Sequence, residues 1–322
     1  MPVKKNLQHC GCRKKRAVIV VGFKCINDCH FCVAADKRTL GDKSTEDIMR
    51  EMGDSWKDGA REVLFTGGEC SVREDIFELV AHARKMGFEQ VYLQTNGRMF
   101  SSMAFCEKIL LAGMTIFNPA LHGPTAEIHD RLTRAPGSFR QTVLGIHNIR
   151  KIARGRVPIL TNSVVTKINY PHLPALAELL ASLRVSVMQF AFVHAMGHAS
   201  SSFDEIVPRK TDAIPYIREG IRIGKQKGIR VMVEAVPFCL LQGYEDSVSE
   251  LYIPPVDLWD KGWRIEQFEI VRKNEAKMKF PQCRRCIHDH ICEGPWREYP
   301  EHFGSDEFQP VERESLVVKN SP

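Results

Sequence analysis

The sequence predicts an α/β fold of parallel strands joined by helical crossovers. Two observations carry this. From Ala17 to about Val193 short apolar, β-rich runs alternate with longer segments of helical spacing, and 322 residues with 43% hydrophobic content can bury one sizeable core. A third observation sets the other end apart: after Val236-Pro237 the periodicity fades and closely spaced cysteines appear.

Taken in order, strands are expected at 18–22, 62–66, 90–95, 115–121, 157–166 and 187–193, each a short run bounded by turn residues. Helical spacing falls between them at 45–57, 73–86, 102–112, 139–153 and 173–183. Six strands with right-handed crossovers give a partial (β/α)6, TIM-like barrel. A further helix and strand, 212–227 and 229–235, stand ready to continue the sheet. The expected organisation is a basic segment over 1–16, the barrel core over 17–236 and a cysteine-rich C-terminal extension over 237–322.

The formal net charge of +6 comes largely from short clusters such as Arg13-Lys14-Lys15-Arg16 and Arg284-Arg285, which read as solvated surface. Aromatic residues are not interleaved with them as a base-stacking platform requires, so RNA modification is the weaker reading and nucleic acid is not an expected partner. The apolar run near the start, 17–23, is far short of a bilayer span, and no signal cleavage site follows the basic segment. No membrane association and a cytoplasmic location are expected. Eleven cysteines is an odd count, and the closest-spaced ones sit two or three residues apart, which suits shared metal better than a disulfide framework.

The stretch CINDCHFC puts Cys25, Cys29 and Cys32 in the first βα loop, at the carboxyl edge of the sheet where barrels gather their chemistry. A 4Fe-4S cluster takes four thiolates, so three from one loop leave one iron open to another ligand. A zinc knuckle completed by His30 is the alternative. The second strand ends in FTGGEC, where Gly67 and Gly68 let the backbone approach a ligand beside the carboxylate of Glu69.

Here the chain resembles the radical S-adenosylmethionine (SAM) enzymes. The resemblance implies that Cys25, Cys29 and Cys32 ligate a 4Fe-4S cluster whose fourth iron chelates SAM. It also implies that Phe31 packs near adenine and that Gly67, Gly68 and Glu69 receive the methionine amino group. Where that family commonly has proline after this motif, the chain has Cys70, read as a small buried hydrophobe or else as a redox-active thiol and hydrogen donor. LQTNGR contributes Asn96, LHGPTAEIHDRLTRAPGSF contributes His122 where relatives often carry Asp, and TNSVVTKIN contributes Asn162 and Ser163 as candidate SAM contacts. Each has a plain alternative: Asn96 an Asn-Gly turn, the others satisfied loop polars.

Four further cysteines, Cys239, Cys283, Cys286 and Cys292, resemble part of the SPASM or twitch auxiliary-cluster signature and imply a second, auxiliary 4Fe-4S cluster. Structural zinc with His288 or His290 is the competing reading. Cys106 and the terminal HCGC, with Cys10 and Cys12, are left over.

The resemblance implies reductive cleavage of SAM to a 5'-deoxyadenosyl radical that abstracts hydrogen from a substrate carbon, an oxidoreductase-like chemistry ending in oxidation, epimerisation or bond formation. A reducing partner such as flavodoxin or ferredoxin is implied. An epimerase would need a hydrogen donor, for which Cys70 or Cys106 is the candidate. The short segment ahead of the first strand leaves no room for a peptide-leader domain, so a small-molecule substrate is expected, with a peptide-modifying maturase as the alternative. A non-catalytic iron-sulfur scaffold or electron carrier would need the thiols but not Gly67-Gly68-Glu69.

Overall fold

The computed structural model describes residues 14–313; Cys10, Cys12 and the first thirteen residues of the basic segment lie outside the described residues. The strands are β1 (Lys15–Val20), β2 (Ala60–Thr66), β3 (Gln90–Thr95), β4 (Ile116–Pro119), β5 (Leu160–Val165), β6 (Val187–Phe192), β7 (Arg230–Glu234), β8 (Val256–Asp260) and β9 (Trp263–Ile265). The helices are α1 (Thr45–Lys57), α2 (Ile76–Met86), α3 (Met103–Ala112), α4 (Ala126–Thr133), α5 (Ser138–Ala153), α6 (Leu173–Ser182), α7 (His198–Ser201), α8 (Phe203–Ile206), α9 (Lys210–Gln226), α10 (Phe268–Val271) and α11 (Glu298–Phe303).

One sheet runs β4-β3-β2-β1-β8-β9 and another β5-β6-β7. Parallel bridges Phe117 to Ile159 and Ala120 to Asn162 join them across β4 and β5, so the strands form one curved wall. The six expected strands are present in a partial barrel. Beyond them, β7 pairs parallel with β6 and continues the wall, as the helix-plus-strand pattern at 212–235 allowed.

The other edge holds a correction. Residues 256–260, expected in an irregular extension, form β8, which pairs parallel with β1. The reason is electrostatic as well as apolar: the nearly fully buried Asp257 meets Lys15 at 2.6 Å and Arg264 at 2.6 Å. Lys15 and Arg16 are accordingly strand residues rather than solvated ones; Arg16 forks onto Glu62 at 2.7 and 2.9 Å. A hydrogen-bonded, paired basic residue sits comfortably on a half-buried strand.

Helix punctuation follows local chemistry. Ser44 caps α1 by accepting from the Asp47 N–H, and Ser102 caps α3 through Phe105. Gly87 and Gly113 end α2 and α3 in the left-handed conformation. The wall packs on its helices through Phe65, Phe88, Phe100, Phe117 and Phe190, all fully buried. No described helix is long and apolar enough to cross a membrane.

Candidate functional site

The carboxyl ends of β1 to β5 open into a cavity of about 1020 Å³ that is continuous with solvent. Its lining brings together Cys25, Cys29, Phe31 and Cys32 from the loop after β1, and Gly67, Gly68 and Glu69 from the end of β2. Asn96, His122 and Asn162 complete it from the ends of β3, β4 and β5. Five strand ends far apart in sequence thus meet at one concave edge, as parallel α/β topology dictates.

The cysteine loop is tied down by residues that sequence reasoning missed. Arg98 donates to Asn27 Oδ1 at 2.9 Å and to Gln141 Oε1 at 2.6 Å, and it also reaches the Ile26 carbonyl. Asp28 pairs with Arg38 at 2.9 Å and Arg134 at 2.6 Å. The loop after β6 presses on from above: the His198 N–H donates to the Cys32 carbonyl at 3.1 Å, and a side chain on Gly197 would stand 2.3 Å from that oxygen. Only Arg98 carried a sequence signal, in LQTNGR; the rest are long-range.

Burial raises the thiol of Cys25, an effect partly offset by the Asn27 N–H, which donates to its Sγ at 3.4 Å. Cys29 is raised further, by burial and then by the neighbouring charges of Cys25 and Cys32. Packing three thiolates together out of water is unfavourable unless a cationic centre is shared among them.

Glu69 is 3% exposed, and both carboxylate oxygens are engaged. Ser71 donates to Oε1 through N–H (3.0 Å) and hydroxyl (2.5 Å), Thr95 donates to the same oxygen at 2.5 Å, and the Asn96 N–H donates to Oε2 at 2.5 Å. Burial nevertheless pushes its carboxyl above the ordinary range. The glycines before it line the cavity, and packing gives them a further reason to lack side chains. A Cβ on Gly67 would stand 2.3 Å from the Gly22 carbonyl, and one on Gly68 2.3 Å from the Lys24 carbonyl. Their missing side chains let this turn zip onto the chain leading into the cysteine loop, with Gly68 and Glu69 N–H groups donating to Gly22 and Lys24 at 2.8 Å.

His122 stands edge-on to Phe31 with ring centroids 4.7 Å apart. Its Nδ1 accepts the Val164 N–H at 3.1 Å, so the neutral ring carries its proton on Nε2. Its backbone N–H donates to His129 Nδ1 at 3.0 Å. Burial holds both rings well below the usual histidine range, His129 down to about 4.

The cavity fits a polar ligand with unmet hydrogen bonds: among the described residues, Asn96 Nδ2 and Asn162 Oδ1 are buried without partners. Asn96 is both readings at once, since its Oδ1 closes the turn onto the Arg98 N–H at 3.0 Å.

Three candidates lie outside the lining of the cavity. Ser163 is fully buried on the opposite face of β5, where its hydroxyl donates to the Leu121 carbonyl at 2.6 Å; neighbouring strand residues point to opposite faces, so it cannot join Asn162 in the cavity. Cys70 is fully buried, its thiol raised by burial and turned onto the Gln94 carbonyl, away from the cavity. Cys106 is buried against the Phe100 carbonyl. Neither thiol lines the cavity.

A second cavity, of about 380 Å³, is lined by Cys239, Cys283, Cys286 and Cys292 together with Phe238 and Phe280. Burial and then the charges of the other three thiols push Cys239 up to about 12. Backbone N–H groups of Phe280 and Val311 donate to Cys283 and Cys286 sulfurs at 3.5 and 3.4 Å, the arrangement that tunes iron-sulfur centres. His288 stacks on Phe238 instead of lining this cavity.

An open parallel barrel that gathers three thiols, a buried carboxylate and unpartnered amides at the carboxyl ends of its strands defines a cofactor-dependent α/β enzyme. The chain belongs to the Radical SAM superfamily, whose model matches residues 19–180. Among curated proteins it is 29% identical over 242 residues to a probable GTP 3',8-cyclase of Saccharolobus islandicus, covering 74% of this chain and 75% of that one. The probable GTP 3',8-cyclase of Saccharolobus solfataricus is 29% identical over 190 residues, 58% of this chain and 59% of that relative, so the match spans about three fifths of it. An AdoMet-dependent heme synthase of Methanosarcina barkeri is 27% identical over 192 residues, 59% of this chain and 53% of that one. Among solved structures, Streptococcus suis SuiB bound to S-adenosylmethionine superposes with TM-score 0.63 at 14% identity, over 92% of this chain and 76% of that one. The structure of anSMEcpe with bound AdoMet gives TM-score 0.62 at 15% identity, over 92% of both chains. Family membership brings a 4Fe-4S cluster and SAM as the class cofactors.

Proposed function

We propose that the protein uses SAM and two 4Fe-4S clusters to abstract hydrogen from a carbon of a small-molecule substrate, with oxidation, epimerisation or bond formation as the outcome. The observation that carries this is the convergence of Cys25, Cys29 and Cys32 with Glu69 and the unpartnered Asn96 and Asn162 amides at one cavity. Cys25, Cys29 and Cys32 would hold the first cluster, and Phe31, Gly67, Gly68, Glu69, Asn96, His122 and Asn162 would surround SAM. When bound, the pair supplies a 5'-deoxyadenosyl radical on reduction. The chain's part is positioning and exclusion of water: Arg98, Arg134 and Asp28 fix the thiol loop, and His122, neutral and anchored by Val164, supports the Phe31 ring.

Residues 237–322 read as a SPASM- or twitch-like extension to the barrel core of 17–236, with Cys239, Cys283, Cys286 and Cys292 as ligands of the auxiliary cluster. Four thiols lining one cavity, two of them receiving backbone N–H donors, support a shared metal centre there, which this reading takes as iron-sulfur. A low-potential reductant of the flavodoxin or ferredoxin kind, and a cytoplasmic setting, follow from this chemistry. The names of the relatives favour a small molecule. A peptide substrate is the second reading, because SuiB, also solved bound to its precursor peptide, aligns over 95% of this chain, extension included.

Anaerobic reconstitution tests the proposal. About eight irons per chain and release of 5'-deoxyadenosine with dithionite and SAM are expected. Iron bound with no SAM binding would return the protein to the scaffold reading, and four irons with one zinc would remove the auxiliary cluster.

A further inference from the structure

Asn162 lines the cofactor cavity from β5, and the parallel register pairs it with Gln189 on β6. Gln189 is paired in turn with Met232, two residues before Glu234 on β7. Paired residues of neighbouring strands, and residues two apart on one strand, share a face. Gln189 and Glu234 therefore stand on the face that carries Asn162, and their contact is direct: Gln189 Nε2 donates to Glu234 Oε2 at 2.9 Å. From the C-terminal part of the chain Arg272 reaches Glu234 at 3.3 Å and Glu293 at 2.8 Å. Glu293 follows Cys292 directly. A polar row thus runs from the cofactor cavity toward the second thiol set, and a substrate serving both would lie along it.

The row is not satisfied internally. Arg272 is 4% exposed, yet its Nε has no partner, and Asn162 Oδ1 has none either. The cations nearby are already committed: Lys277 meets Glu250 at 3.3 Å, and Arg272 lies nearer Glu293 than Glu234. Glu234 shares Arg272 with the nearer Glu293, and its side chain is 25% exposed where those of Glu293 and Glu250 are 10% and 7%. A carboxylate three-quarters out of water gains from a cationic partner that also donates hydrogen bonds.

We infer that Glu234, held in place by Gln189, is a specificity-determining carboxylate that takes a cationic nitrogen group of the substrate rich in N–H donors, an amidine, guanidine or amine. The inference rests on the proposed function, in which a substrate enters the mouth of the barrel.

The test uses the reconstituted protein with SAM present and acetamidinium chloride as probe, followed by calorimetry against acetamide and sodium acetate. Saturable acetamidinium binding, weakened roughly tenfold or more in Glu234→Gln, is expected. Gln189→Leu, which keeps the charge but frees the carboxylate, should weaken it less, and Glu234→Asp keeps the question open to measurement if Glu234→Gln does not fold. Equal affinity in wild type and Glu234→Gln, no acetamidinium binding by wild type, or preference for acetate would each overturn the assignment. SAM affinity of the same wild-type preparation separates the causes. Failure to bind SAM would overturn the cofactor reading together with this one, whereas SAM binding without acetamidinium preference would overturn the Glu234 assignment alone.

Discussion

Glu69 accepts the backbone N–H of Asn96 at 2.5 Å, so the carboxylate at the end of β2 fixes the turn at the end of β3. One residue therefore sets the position of two lining segments. Glu69→Gln replaces an acceptor oxygen by an NH₂ group facing the donors of Ser71, Thr95 or Asn96. Leaving one buried donor unpaired costs about 1–3 kcal/mol. The expected outcome is a lower unfolding midpoint and SAM affinity reduced at least about tenfold, with iron content retained. Unchanged SAM affinity by equilibrium dialysis would mean that Glu69 serves only the turn.

Gly68→Ala places a methyl group 2.3 Å from the Lys24 carbonyl, a backbone atom that cannot rotate aside. Overpacking of this kind costs about 1–3 kcal/mol. Because Lys24 immediately precedes Cys25, the displaced strand end should carry the thiol loop with it. Reconstitution of Gly68→Ala should yield less 4Fe-4S absorbance per chain than wild type at equal secondary structure. Full cluster loading would show that the loop tolerates the shift.

These two positions show what was legible and what was not. The strands, the crossover helices and the thiol loop are local patterns, and each was readable because strand period, helix period and cysteine spacing act over a few residues. The packing reason for Gly67 and Gly68 sits in the segment after β1, 45 and 44 residues away, and so does not appear in their own neighbourhood. The same holds for β8, which reads as irregular chain until Lys15 and Arg264 neutralise Asp257. Ser163 is a different case: strand alternation alone forbids it from sharing a face with Asn162, and that rule was available in the sequence.

His122 and His129 are buried neutral, and the direction of their shifts fixes a pH dependence. Burial depresses both, and an unfolded histidine titrates near 6.5. The unfolded chain therefore takes up protons first as pH falls, and the stability these rings contribute is present above about 6.5 and lost progressively toward the folded value, about 4 for His129. In His129→Asn, whose Oδ1 can accept the His122 N–H, the loss between pH 6.5 and 5 should shrink by about 2 kcal/mol. Urea midpoints at the two pH values measure it; identical slopes in wild type and variant would assign the acid sensitivity elsewhere.

Arg98 holds Ile26 and Asn27 on one side and Gln141 on the other, so it clamps the thiol loop to α5. Arg98→Ala removes the clamp and leaves all thiols in place. Bleaching of the cluster by air or chelator should be several-fold faster, with the thermal midpoint of the fold little changed. A bleaching rate equal to wild type would leave Arg38 and Arg134, through Asp28, as the operative anchors.

Cys283, Cys286 and Cys292 replaced together by Ala separate the two metal centres. The first thiol set shares no residue with the second, and the two cavities have no lining residue in common. Iron should fall from about eight to about four per chain, while SAM cleavage stays measurable by release of 5'-deoxyadenosine. Product formation should be abolished if, as in the proposed function, resolving the substrate radical falls to the C-terminal centre, toward which the row from Asn162 through Gln189, Glu234 and Arg272 leads. A folded triple variant that lacks the second centre yet makes full product would reduce that centre to a structural element and leave the barrel to complete the reaction alone.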